Sequence, residues 1–199
     1  MKKNLPYIII AIILIAAGLL AYKSYRSPST SSGPSANNQQ TSKETKQALK
    51  AVQSQMQNPA EQDVYRHIEP NFSFNYPKGF KVGSFEEGDG ETVLVQSDAS
   101  NKSYQSYSNL AFQIYISDFD EDITLTAQRI KQDMPGIKMD NAKSVSVGNI
   151  TGTAFLGADE SLGQTYEVWL VYNKHLYQIL SYASQKDLVD KILSTWSWQ

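Results

Sequence analysis

Cysteine is absent from this chain of 199 residues, and histidine occurs only twice, at His67 and His175. No disulfide framework, zinc-thiolate site or cysteine nucleophile is therefore available. Two histidines also leave little room for a histidine-based metal site or a Ser-His-Asp triad. Basic residues are scarce where the chain is foldable. From Pro59 onward 11 Lys and Arg stand against 19 Asp and Glu, a net charge of −8. An acidic domain gains nothing from a phosphate backbone or from anionic head groups, which argues against nucleic-acid binding.

Charge is also missing from the run Leu5 to Tyr22, which is Ile-, Leu- and Ala-rich. Its 18 residues would give a helix of roughly 27 Å, close to a hydrocarbon core of ~30 Å. Tyr7 and Tyr22 fall at interfacial positions, and Lys3 and Lys23 can snorkel. The segment has no polar face, unlike the core helix of a soluble domain. A cleavable signal peptide would want small residues near its end, and Leu19 fits that poorly. The reading is an uncleaved transmembrane anchor over residues 1–22. The short basic head stays cytoplasmic and residues 23–199 lie outside the cell membrane, in a single pass.

Residues 23–42 are rich in Ser, Pro, Thr, Asn and Gln. Such a stretch buries too little apolar surface to offset its chain entropy, so it reads as a disordered spacer. Over 43–58, Ala48, Leu49, Val52 and Met56 recur at helical spacing, giving a short amphipathic helix ended by Pro59. That helix either packs on the domain or serves a partner.

The globular part alternates from Phe72 through Phe74 to Tyr76, a strand closed by Pro77. A hairpin loop is expected over Glu86 to Glu91, and Leu110, Phe112, Ile114 and Ile116 mark the clearest half-buried strand. A helix is expected from about Thr124 to Met134, stopped by Pro135-Gly136. Strands follow around Val145-Val147, Thr151 to Leu156, Tyr166 to Tyr172 and Leu176 to Tyr182. A last helix runs from about Gln185 to Thr195. Six to eight hairpin-spaced strands with two helices predict an α+β fold: an antiparallel β-sheet flanked by helices.

The opening Phe72-Ser-Phe-Asn-Tyr-Pro77 with Gly79-Phe80 resembles the first strand and turn of PsbP-like domains. The later order is similar too: a strand into an acidic loop and helix, then Val145-Ser-Val-Gly-Asn149, a long hairpin and a final helix with aromatics. The resemblance spans residues 68–199. It implies the α/β/α sandwich of the Mog1/PsbP type and a binding or assembly module rather than an enzyme. The anchor and Ser-rich spacer look like those of bacterial surface proteins carrying this domain.

Several residues invite chemistry. Asp118, Asp120 and Asp122, with Glu121, offer carboxylate oxygens to Ca²⁺; the same acids before Thr124 suit a helix N-terminus. Glu86, Glu87, Asp89 and Glu91 form a second acidic cluster at a hairpin tip. Ser161, between Gly157 and Gly163, lacks the spacing of a nucleophile elbow and reads as a turn serine. Tyr104, Tyr107, Tyr115 and Trp169 either line a groove or sit in the core beneath a helix. No cofactor or catalytic set emerges. The expected function is a membrane-anchored, non-catalytic module with a protein partner in the envelope. The alternatives are a small-ligand or Ca²⁺-binding domain and a carboxylate-based envelope hydrolase.

Overall fold

The computed structural model describes residues 54–97 and 110–199. These fall in one compact unit, Ala51–Gln199. The anchor, the spacer, most of the 43–58 helix, Tyr104 and Tyr107 lie outside the described residues. Among the described residues no helix is long and apolar enough to cross a membrane.

Ten strands and two α-helices follow one another among the described residues: β1 (Gln62–His67), β2 (Phe72–Pro77), β3 (Lys81–Glu87), β4 (Gly90–Gln96), β5 (Leu110–Asp118), α1 (Ala127–Asp133), β6 (Asp140–Val147), β7 (Ile150–Asp159), β8 (Gly163–Tyr172), β9 (His175–Tyr182), α2 (Lys186–Leu193) and β10 (Ser197–Trp198). A seven-stranded sheet has the order β3-β4-β5-β9-β8-β7-β6, and a three-stranded sheet has the order β1-β2-β10. Every pairing is antiparallel. The β8–β9 hairpin turns on Asn173 and Lys174, both at positive φ (49° and 60°), as a two-residue turn matched to strand twist requires.

The register of the large sheet gives it two unlike faces. Val93, Ile114, Ile179, Val168 and Ala154 stand opposite one another across five strands. This apolar face joins the main core, with Phe72 and Phe74 of the small sheet and Leu188, Val189, Ile192 and Leu193 of α2. Trp196 closes it. Its ring stacks on Phe72 at 4.7 Å and on Phe74 at 5.2 Å between centroids. The spacing of the four α2 residues puts them on one stripe, so the helix packs as its sequence pattern dictates.

The other face carries Thr92, Tyr115, Gln178, Trp169 and Thr153 in one row. The α1 segment lies on this side. The Thr153 hydroxyl donates to the Leu125 carbonyl at 2.7 Å, and Leu125 and Ile130 are buried. Thr126 caps α1 by accepting from the Arg129 amide. Period-two alternation is what keeps the two chemistries apart: a one-residue slip would exchange them.

The structure differs from the sequence expectations in several respects. Among the described residues there are two antiparallel sheets rather than one, and helices are few. β1 and β10 were not expected. β1 carries little apolar alternation, and β10 is two residues long; both gain their order from pairing with β2. α1 starts at Ala127 rather than Thr124, because Thr126 is the cap. The β3–β4 loop shrinks to a tight turn at Gly88-Asp89, since Glu87 and Gly90 still pair. Met56 is buried in the main core, which fits the packed alternative for that residue.

Candidate functional site

The polar face of the large sheet holds the most unusual chemistry of the described chain. Glu167 points into it from β8 and is 8% exposed. One carboxyl oxygen accepts from the Thr165 hydroxyl at 2.8 Å, the other from the Trp169 indole N–H at 3.0 Å. Burial pushes its pKa up; the two hydrogen bonds oppose that shift without cancelling it. Gly157 on the neighbouring strand makes the space. A Cβ there would overlap Glu167 Oε1 and lie 2.7 Å from Thr165 Oγ1.

Register places two glutamines nearby. Gln178 of β9 stands opposite Tyr115 on one side and Trp169 on the other. Leu180, two residues on, stands opposite Gln113 and Glu167. Gln113 and Gln178 are buried, and Gln113 Oε1 and Gln178 Nε2 have no hydrogen-bond partner. Leu180 itself is only partly buried, although β9 is the middle strand of the sheet. Trp169 is held edge-on by Phe155 at 5.6 Å. Tyr115 donates to Asp89 Oδ1 at 2.8 Å. Burial, and then the Asp89 carboxylate, pushes the phenol pKa up. Tyr115 and Trp169 are therefore interior residues under the α1 side, not groove walls on an open surface.

The acids read from the sequence are dispersed. Asp118, Asp120 and Asp122 are exposed. Asp118 Oδ1 lies 3.6 Å from His175 Nε2. Among the described residues no group of three or more Asp, Glu or His side chains is placed to hold a metal ion. Glu121 accepts from the two terminal guanidinium nitrogens of Arg129, at 2.9 and 3.0 Å. Those bonds lower its pKa. Arg129 also reaches Asp133 at 2.5 Å.

At the hairpin tip, Glu87 accepts from the Thr92 hydroxyl at 2.6 Å, and Glu91 meets His67 Nε2 at 2.9 Å. His67 Nδ1 lies 2.9 Å from the Pro70 carbonyl. A carbonyl only accepts, so Nδ1 carries a proton. The His67–Glu91 contact ties the small sheet to the large one. Ser161 sits in the β7–β8 turn, where its amide and that of Leu162 donate to Asp159.

Sequence reasoning missed Glu167, Gln113 and Gln178. The available signal was a glutamate or glutamine inside an otherwise apolar strand, as in Tyr166-Glu-Val-Trp-Leu170 and Leu176-Tyr-Gln-Ile-Leu180.

Fold and site together define a small α+β protein, mostly antiparallel sheet, with one apolar and one polar sheet face. No protein-family model and no curated protein matches the chain. Among solved structures it is similar to the solution structure of the cyanobacterial PsbP (CyanoP) of Synechocystis. Identity is 15%, the TM-score is 0.46, and the match covers 70% of this chain and 94% of that one. A crystal structure from Bacteroides thetaiotaomicron is similar at 14% identity and a TM-score of 0.40, over 70% of this chain and 49% of that one.

Proposed function

We propose that this chain is a membrane-tethered, extracytoplasmic binding or assembly module of PsbP-like type, with a protein partner in the envelope and no catalytic role. The apolar run Leu5 to Tyr22 supplies the single-pass tether, and residues 23–42 supply the spacer. At about 5–6 Å × √n, twenty flexible residues give a mean reach of about 25 Å, enough to hold the domain clear of the head groups.

One observation carries the non-catalytic part. The two buried side chains of His, Asp or Glu type in the described domain are His67 and Glu167. Each has both of its polar atoms held by the protein itself. A general acid, base or nucleophile needs an atom directed at substrate. Here those atoms serve other contacts instead: His67 ties the small sheet to the large one, and Glu167 is held by its neighbours Thr165 and Trp169 within β8.

The test is affinity capture of the full chain from detergent-solubilised membranes after brief in-cell crosslinking. The reading expects one protein recovered reproducibly across detergents. Recovery of no protein under any condition contradicts it.

A further inference from the structure

β3 ends the large sheet, and its outer edge pairs with no other strand among the described residues. Its seven residues, Lys81 to Glu87, pair with β4 without a register shift. They include no proline and no bulge, two devices that commonly blunt such an edge. β6, at the opposite end of the sheet, has a register shift between Asp140 and Lys143, and Asn141 stands there at a positive φ of 53°. Ser84, Phe85 and Glu86 are exposed in the middle of β3, and Phe85 is one of the few large apolar side chains that reach solvent. Gly88-Asp89 is a two-residue turn, so Glu87 and Gly90 close it as a hydrogen-bonded pair. Alternation along the ladder then turns the backbone N–H and C=O of Val82, Ser84 and Glu86 away from β4, toward the open edge.

We propose that this edge is a self-association surface: β3 pairs antiparallel with β3 of a second copy of the chain, about a two-fold axis at Ser84. An isologous contact sets residue i against residue j and j against i. With Ser84 facing itself, Val82 faces Glu86, Gly83 faces Phe85 and Lys81 faces Glu87, each twice. The outward backbone groups of Val82, Ser84 and Glu86 meet their counterparts across the axis. Charge selects the occupant. Lys81, which has no ion pair among the described residues, stands at one end of the strand, and Glu86 and Glu87 stand at the other. Antiparallel pairing of two copies brings these ends together with opposite sign, whereas in-register parallel pairing opposes like charges. Lys81 and Glu87 meet at a non-hydrogen-bonded position, where Cα atoms are about 4.5 Å apart. Thr92 holds one oxygen of Glu87, and the other faces the Lys81 ammonium of the copy. Phe85 lies over Gly83 of the copy, a cross-strand pairing in which an aromatic ring covers a strand glycine. An axis at Gly83 would set Lys81 against Phe85, and one at Phe85 would set Glu87 against Gly83, so either shift loses the charge pair. The association depends neither on the proposed tether nor on a different protein partner.

The full chain in neutral detergent micelles is mixed from isotope-labelled and unlabelled copies. It is then treated with a zero-length carbodiimide, which joins an amine to a carboxylate already in contact with it. The expected product links Lys81 of one copy to Glu87 of the other, with one labelled and one unlabelled side. Within a single chain these residues lie about 20 Å apart along the strand, too far for that link. Sedimentation of the same micelles should show a dimer that grows with protein concentration. Lys81→Glu should weaken it about tenfold, and adding Glu87→Lys to that variant should restore it. A chain that stays monomeric at every concentration overturns the proposal, as does absence of the mixed-label link. A dimer that Lys81→Glu leaves equally tight also overturns it, and marks association through another part of the chain. The link in the unaltered chain needs no variant to fold.

Discussion

Gly157→Ala is a small change that should be expensive, because the carboxyl of Glu167 occupies the space the methyl would take. The added Cβ would overlap Glu167 Oε1, lie 2.7 Å from Thr165 Oγ1 and 3.2 Å from Glu167 Cδ. Glu167 cannot simply swing outward, since it is held by Thr165 and Trp169 and is 8% exposed. Overpacking of this sort costs about 1–3 kcal/mol. Breaking one hydrogen bond of a buried carboxyl adds about 1–3 kcal/mol. Replacing glycine by alanine within a strand returns about 0.5 kcal/mol. The net expectation is a loss of about 1.5–5.5 kcal/mol, centred on ~3 kcal/mol, or roughly 10 °C in Tm for a domain of this size. Urea unfolding of the full chain in mild detergent, followed by tryptophan fluorescence, measures it. A double-mutant cycle makes it specific. With Glu167→Ala already in place the overlap with the carboxyl is gone and the Thr165 hydroxyl, no longer tied to it, can turn away, so the two substitutions should couple by at least about 1 kcal/mol. The reasoning is refuted if Gly157→Ala lies within about 0.5 kcal/mol of the unaltered chain, or if the two losses simply add.

Other expectations follow from neighbouring contacts. Burial raises the Glu167 pKa, so the folded chain keeps that proton to higher pH than the unfolded chain, whose Glu titrates near ~4.3. Stability from this group is full below that pH and is lost as pH rises through the folded value. Glu167→Gln should therefore stabilise at pH 7 and be nearly neutral at pH 4, by urea unfolding at both; an equal effect at the two would contradict this. Trp196→Ala removes the ring stacked on Phe72 and Phe74 and should cost about 3–5 kcal/mol in the same assay. Tyr115→Phe removes the donor to Asp89 and should cost about 1 kcal/mol, with faster amide exchange at Gly88 and Asp89. Arg129→Ala frees Glu121 and Asp133. It should speed amide exchange from Phe119 to Leu125 while leaving β5 protected.

Much of the sheet was legible because alternation is a local signal. Phe72 and Phe74 are fully buried on one face of β2, as their spacing required. The strands around Leu110–Ile116, Tyr166–Tyr172 and Leu176–Tyr182 lie where the sequence put them. β1 was not legible: its sequence, Gln-Asp-Val-Tyr-Arg-His, leaves Val64 exposed and buries His67. Only pairing with β2 and the Glu91 contact make it a strand. The polar face was half legible. Tyr115 and Trp169 were weighed as core because a helix on that side would cover them. Glu167 was overlooked because a glutamate in a strand reads as solvent-facing. What buries it is a glycine ten residues away, on the paired strand, a relation that exists only in register.

The account turns on a lipid-embedded N-terminal run that leaves the sheet domain outside the cell. Intact cells and inverted membrane vesicles carrying the full chain should be treated with protease side by side, after an alkaline wash of a parallel membrane sample. The account predicts that the chain stays in the washed membrane, that residues 54–199 are cleaved in intact cells, and that they are protected in inverted vesicles. Full-length chain released by the wash, or a domain digested only in inverted vesicles, would contradict it.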